Sequence, residues 1–106
     1  MTMDDFTAAL DELWNANRTR MLARGQTVLT ALEDAAAGRP FDRATAAREA
    51  HALAGALGSY GRPGSALFAE VERVLDGEEG AGGEPELEAD LSSCADRVRR
   101  ALAALA

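Results

Sequence analysis

The sequence holds one cysteine, one histidine, one tryptophan and one tyrosine in 106 residues, and each scarcity closes a route. A lone Cys94 makes no internal disulfide, and a cysteine without companions makes no metal site. It falls on an apolar helical stripe, so burial is its expected role. One histidine and one cysteine on different helices do not form a ligand set, and Ser59, Ser65, Ser92 and Ser93 have no evident base partner. Metal-dependent and nucleophilic hydrolysis are therefore set aside. There is no P-loop, no kinase-type glycine loop and no convincing carboxylate cluster for magnesium, so the chain is not expected to bind ATP, phosphorylate itself or hold a cofactor or metal. The opening MTMDDFTAAL lacks the basic start and apolar stretch of a secretory signal. No run approaches the roughly 20 apolar residues that cross a bilayer. A cytoplasmic protein without membrane attachment is the expectation. Positive charge is also in deficit: the formal net charge of -7 repels phosphate backbones and argues against nucleic-acid binding.

What is abundant is alanine and leucine. Hydrophobic residues make up 47% of the chain while aromatics reach only 5%, and β-branched residues are few, a balance that favours helix over strand. The length suits a single domain spanning residues 1–106. Turn-forming residues divide it into helices. A first helix begins near Asp4 with Phe6, Leu10, Leu13 and Trp14 on its buried side, and Asn15-Ala16-Asn17 forms a weak break that would leave a short extra N-terminal helix. A second runs from about Arg18 to Ala37, burying Met21, Leu22, Val28, Leu29 and Leu32, and stops at Gly38-Arg39-Pro40. Asp42 caps a third from Arg43 to Tyr60, ended by Gly61-Arg62-Pro63-Gly64. A fourth covers Ser65 to Leu75 and buries Leu67, Phe68, Val71 and Val74 or Leu75. The glycine-rich stretch Asp76–Glu84, with its Glu78-Glu79 pair, reads as a flexible loop. The last helix, Pro85 to Leu105, carries Leu87, Leu91, Cys94, Val98, Ala101 and Leu105 at alternating spacings of four and three, which is a bundle seam. Amphipathic helices joined by short turns at this size pack as an all-α, antiparallel up-down four-helix bundle.

The only histidine stands apart from that pattern. With about 100° per residue, Ala46, Ala50, Leu53, Leu57 and Tyr60 share the core side of their helix, and His51 lies about 140° from the middle of that stripe. Its neighbours on the same side are Ala44, Ala47, Ala54, Gly55 and Gly58, all small. Glycine within a helix costs about 1 kcal/mol relative to alanine. The two glycines mark either clearance for a partner's reactive group or close packing against another helix.

The string His51-Ala52-Leu53-Ala54-Gly55, followed by Gly61, resembles the signature of histidine-containing phosphotransfer (HPt) domains: His, any residue, Leu, Lys, Gly and, six positions on, a second Gly. The likeness reaches back over Ala46 to Ala50 and forward over Arg62 to Glu72, through Leu67, Val71 and Glu72. The departure is Ala54, where the family has a lysine whose charge offsets that of the phosphoryl group. Arg48 and Arg62 lie on roughly the same side as His51 and are the expected replacements. The resemblance implies an HPt-like four-helix bundle in which His51 is the phosphoacceptor, with Arg48, Ala54, Gly55, Gly58 and Arg62 near the phosphoryl group. It implies a monomeric phosphocarrier rather than an enzyme. The partner would be a response-regulator receiver domain or a hybrid histidine kinase, a receiver supplying the aspartate and magnesium. Docking would involve the exposed side of the His51 helix and the facing side of the helix before it, where Arg24 or Gln26 could contribute. An imidazole is largely neutral near pH 7 and presents a lone pair, so no local base is required. Two other readings stand beside this one. A degenerate HPt-like bundle would bind a signalling partner without phosphate, as the missing lysine suggests. A purely structural helical interaction module would pack His51 away from solvent.

Overall fold

The computed structural model describes residues 2–76 and 85–106. Four helices account for nearly all of them: α1 (Met3–Ala36), α2 (Arg43–Tyr60), α3 (Ser65–Leu75) and α4 (Pro85–Leu105), with no strand among the described residues. The loop expected over Asp76–Glu84, apart from Asp76 itself, and the side chain of Leu87 lie outside them.

Local chemistry sets the boundaries. Asp42 caps α2 by accepting from the Thr45 backbone N–H at 3.0 Å and from its hydroxyl at 2.7 Å. The Thr45 backbone bond, then the hydroxyl bond, favour the ionised carboxylate and hold the Asp42 pKa below its ordinary value. At the other end Gly61 turns left-handed at φ 68°, a conformation that suits glycine. Arg62 N–H then closes onto the Leu57 carbonyl at 2.9 Å. Gly64, at φ 109°, opens α3 so close to α2 that a Cβ there would sit 3.3 Å from Leu57 Cδ1.

The expected break at Asn15–Asn17 does not occur, and there is no separate N-terminal helix: α1 is continuous. Asn17 bonds back to its own helix, its amide donating to the Leu13 carbonyl at 2.8 Å while Arg20 donates to its Oδ1 at 2.6 Å. The amide thus stitches the turn that it was expected to interrupt. The start is one residue earlier than the sequence suggests, because Thr2 and Asp5 form a reciprocal capping box.

Cross-helix ties make each neighbouring pair antiparallel. Arg24 meets Glu49 at 2.7 Å across α1 and α2, and the Trp14 and Tyr60 rings stand edge to face at 5.8 Å. Arg43 donates to the Leu75 carbonyl across α2 and α3, Arg97 pairs with Glu70 across α4 and α3, and Arg99 pairs with Glu33 across α4 and α1. Arg99 also holds Asp96 on its own helix. The core between them is Trp14, Met21, Val28, Leu29 and Leu32 of α1, Ala46, Ala50, Leu53 and Leu57 of α2, Phe68, Val71 and Leu75 of α3, and Leu91, Cys94, Val98 and Leu105 of α4. Leu22, Tyr60, Leu67, Val74 and Ala101 are partly buried at its margin. Gly25, which interrupts an otherwise good helix-forming stretch, lets α4 approach: a Cβ there would collide with the Leu102 side chain.

A second departure is at the start of α1. Phe6 and Leu13, expected in the core, are 51% and 52% exposed, and Met3 is 80% exposed. A 34-residue helix is about 51 Å long, and the molecule measures 52 × 21 × 21 Å. Thus α1 alone sets the long dimension, and its first turns run past the end of α2, where none of the described residues covers their apolar side.

Candidate functional site

His51 lies midway along α2 on the flank next to α3, and its side chain is 76% exposed. The core stripe behind it anchors the helix, with Ala50 and Leu53 on either side in sequence completely buried. Burial extends further round α2 than the sequence suggests. Ala47 and Ala54, expected on the open side with His51, are buried at 6% and 9%. The reason is α3, which crosses that flank: Ser65 Oγ donates to the Ala54 carbonyl at 2.8 Å. The position at which the family signature places lysine is therefore tucked against the start of α3.

Glu72, which the sequence reading placed within the family likeness but not among the site residues, belongs to the site. From α3 its carboxylate meets His51 Nδ1 at 2.9 Å through Oε1 and 3.0 Å through Oε2. An ionised carboxylate only accepts hydrogen bonds, so the hydrogen lies on Nδ1 and, in the neutral ring, the lone pair lies on Nε2. The exposed imidazole is thereby fixed in tautomer and in rotation. Glu72 is itself partly buried, its side chain retaining 26% of its free surface. The sequence signal for it was slight: a carboxylate directly after buried Val71, at the edge of the apolar stripe of α3.

Ala44, Ala47, Arg48, His51, Glu72 and Asp76 line one open depression between α2 and α3. Arg48, an expected replacement for the missing lysine, is thus a neighbour of the imidazole, while its guanidinium also donates to Thr45 Oγ1 at 3.2 Å. Arg62 is engaged elsewhere. It donates to Asp11 at 2.7 Å and lies 5.4 Å over the Trp14 ring, locking the end of α2 to α1. The chain contains no lysine, so every side-chain cation available to the site is an arginine.

The two glycines after His51 have different surroundings. Among the described residues a Cβ on Gly55 would meet nothing within 4 Å, so no contact with them demands glycine there. A Cβ on Gly58 would come 3.3 Å from Ser65 Oγ, and the helix packing accounts for it. Of the two readings left open by the sequence, close packing applies to Gly58, while at Gly55 the structure shows open space among the described residues.

Among the described residues no three His, Cys, Asp or Glu side chains come together so as to hold a metal ion, and no helix is long and apolar enough to cross a membrane. Comparison with curated proteins and with solved structures finds no match. The family model described as Hpt domain matches residues 16–106, which takes in all of α2, α3 and α4 and most of α1. With an exposed, oriented histidine on the second helix of a four-helix bundle and a match over most of its length, the chain belongs to the Hpt domain family.

Proposed function

We propose that the chain is a phosphocarrier of a two-component phosphorelay, taking a phosphoryl group on Nε2 of His51 and passing it on. The observation that carries this reading is the bidentate hold of Glu72 on Nδ1 beneath an exposed ring. Nε2 attacks the phosphorus of a receiver domain's aspartyl phosphate. The N–P bond forms as the P–O bond breaks, and the aspartate carboxylate leaves with the electron pair. No proton has to leave, because Nδ1 keeps its hydrogen throughout. The ring gains a positive charge as the N–P bond forms, and the Glu72 carboxylate offsets it. The return step runs through the same atoms in reverse.

The transferring group passes through a loose, in-line transition state whose stabilisation is largely positioning and charge. The chain contributes an aimed lone pair and open space over Gly55. The receiver brings the aspartate and its magnesium, so the chain acts as carrier rather than as autonomous enzyme. Arg48 is the cation that takes over from the family lysine, approaching from one turn before His51 instead of one turn after. Receiver domains and hybrid histidine kinases are the partner class. A cytoplasmic setting follows from that partnership.

The test is transfer from a phosphorylated cognate receiver. The wild type is expected to acquire acid-labile label, and His51→Gln none. Arg48→Ala is expected to slow labelling or shorten the lifetime of the phosphohistidine, and an unchanged rate and lifetime would remove Arg48 from the site. A competent receiver that binds the wild type without labelling it would favour the other reading, a docking module that carries no phosphate, motivated by Ala54.

A further inference from the structure

Among the described residues the large hydrophobic side chains that are exposed, Met3, Phe6 and Leu13, all lie on the overhanging start of α1. With half-buried Leu10 they fall at spacings of three, four and three, the a/d pattern of a helix that packs lengthwise against another. An isolated helical segment this short is marginal in water, yet this one carries a complete capping box. Its root is fixed to the bundle by the Asp11–Arg62 ion pair and by Trp14, which packs against Tyr60 and under Arg62. The segment is thus held in place, and among the described residues nothing covers its apolar side. It also lies mostly outside the family match, which begins at residue 16.

The charges of α1 name the occupant. Its first turns carry Asp4, Asp5, Asp11 and Glu12 and no basic residue. From Leu13 to Leu32 the order reverses: Arg18, Arg20 and Arg24 are present with no acidic residue. An acidic, apolar overhang followed by a basic stretch is complementary to itself in the antiparallel sense and repels itself in the parallel one. The same flank that bears Met3, Phe6, Leu10 and Leu13 continues through Asn17, Arg20 and Arg24 to a shallow groove lined by Arg20, Ala23, Arg24, Thr27 and Glu49 between α1 and α2.

We propose that the overhang is a self-association surface: two copies pair about a two-fold axis near Leu13, each acidic overhang lying along the basic stretch of the other copy's α1. Leu10 and Leu13 of the two chains meet at the axis, and Met3 and Phe6 rest on the aliphatic stems of Arg24 and Arg20 of the second copy. Because Glu49 and His51 lie on opposite flanks of α2, this pairing leaves both imidazoles exposed. It departs from the monomer that the family resemblance implies, and the measurement below separates the two.

Molar mass measured against concentration tests it, with the full chain. The wild type is expected to move from monomer to dimer below about 0.5 mM, and Phe6→Ser with Leu13→Ser to weaken association by more than about tenfold. Orientation is read from two charge variants, Asp4→Arg/Asp5→Arg and Arg18→Glu/Arg20→Glu. Each is expected to associate more weakly than wild type alone, and their equimolar mixture to recover the dimer, since both contacts are then between opposite charges. Circular dichroism of each variant guards against unfolding. A wild type that stays monomeric up to that concentration, including in the presence of nothing but dilute buffer salt, overturns the proposal. So does a dimer indifferent to the apolar substitutions, or a mixture no better than its components.

Discussion

At the scale of single residues, Gly55 and Glu72 carry the clearest consequences. Gly55 lies in helix with no described residue where its side chain would be, so Gly55→Ala is expected to stabilise the bundle by about 0.5–1 kcal/mol. Urea denaturation measures the gain. If glycine is kept for a partner's approach, the same substitution slows phosphoryl exchange with a receiver while the fold becomes firmer. Loss of exchange together with loss of stability would point to a structural role instead. Glu72 yields to a conservative pair. Glu72→Gln keeps an acceptor for Nδ1–H but removes the charge, whereas Glu72→Ala removes both. Transfer is expected to fall in the order wild type, Gln, Ala, and phosphorus–nitrogen correlated NMR of the phosphorylated protein is expected to place the group on Nε2 in the wild type. An Ala variant that transfers as fast as wild type would mean that the ring needs no orienting carboxylate.

At the scale of helices, Asp42 links sequence to pH dependence. Its folded pKa lies below the ordinary aspartate value of about 3.9, because the Thr45 N–H and hydroxyl bond to the carboxylate. A depressed carboxylate contributes stability that is fully present above its unfolded value and is lost as pH falls through the folded one. Asp42→Ala is therefore expected to lower Tm at pH 7, and the gap between variant and wild type is expected to close in strong acid. A gap that persists there would assign the effect to packing instead of the cap. The same residue made α2 legible: Asp42 before it and Gly61 after it fixed both ends, and Pro63-Gly64 fixed the start of α3. What the sequence concealed depended on contacts between helices. Asn15–Asn17 read as a break because asparagine competes for backbone hydrogen bonds, and only the bond from Asn17 to Leu13 reveals that it serves the helix. Glu72 was hidden for a similar reason: it meets a histidine 21 residues away, through a crossing of α2 and α3 that no local spacing encodes. His51 itself was legible, because the angular count along one helix suffices to turn it outward.

For the whole molecule, the question is where the cooperative unit stops along α1. The family match starts at residue 16, but the packing starts at Trp14, which is 3% exposed and is held by Tyr60 and by Arg62, itself paired with Asp11. Periodicity alone assigned Phe6, Leu10 and Leu13 to the core, since a helix registers only that one side is apolar and not where its neighbours end. The two segments should then respond to deletion in opposite ways. Trp14→Ala removes a buried aromatic and its two ring contacts, and a loss of about 3–5 kcal/mol is expected. Among the described residues, removing residues 1–9 strips only exposed side chains, leaving Leu10, Asp11 and Trp14 in place. At about 1 µM protein, where association does not contribute, that truncation is expected to shift Tm by no more than a few degrees. Thermal unfolding of the two variants side by side makes the measurement. A truncation as damaging as Trp14→Ala would mean that the overhang belongs to the folding unit of its own chain, and its exposed leucine and phenylalanine would need an explanation within the monomer.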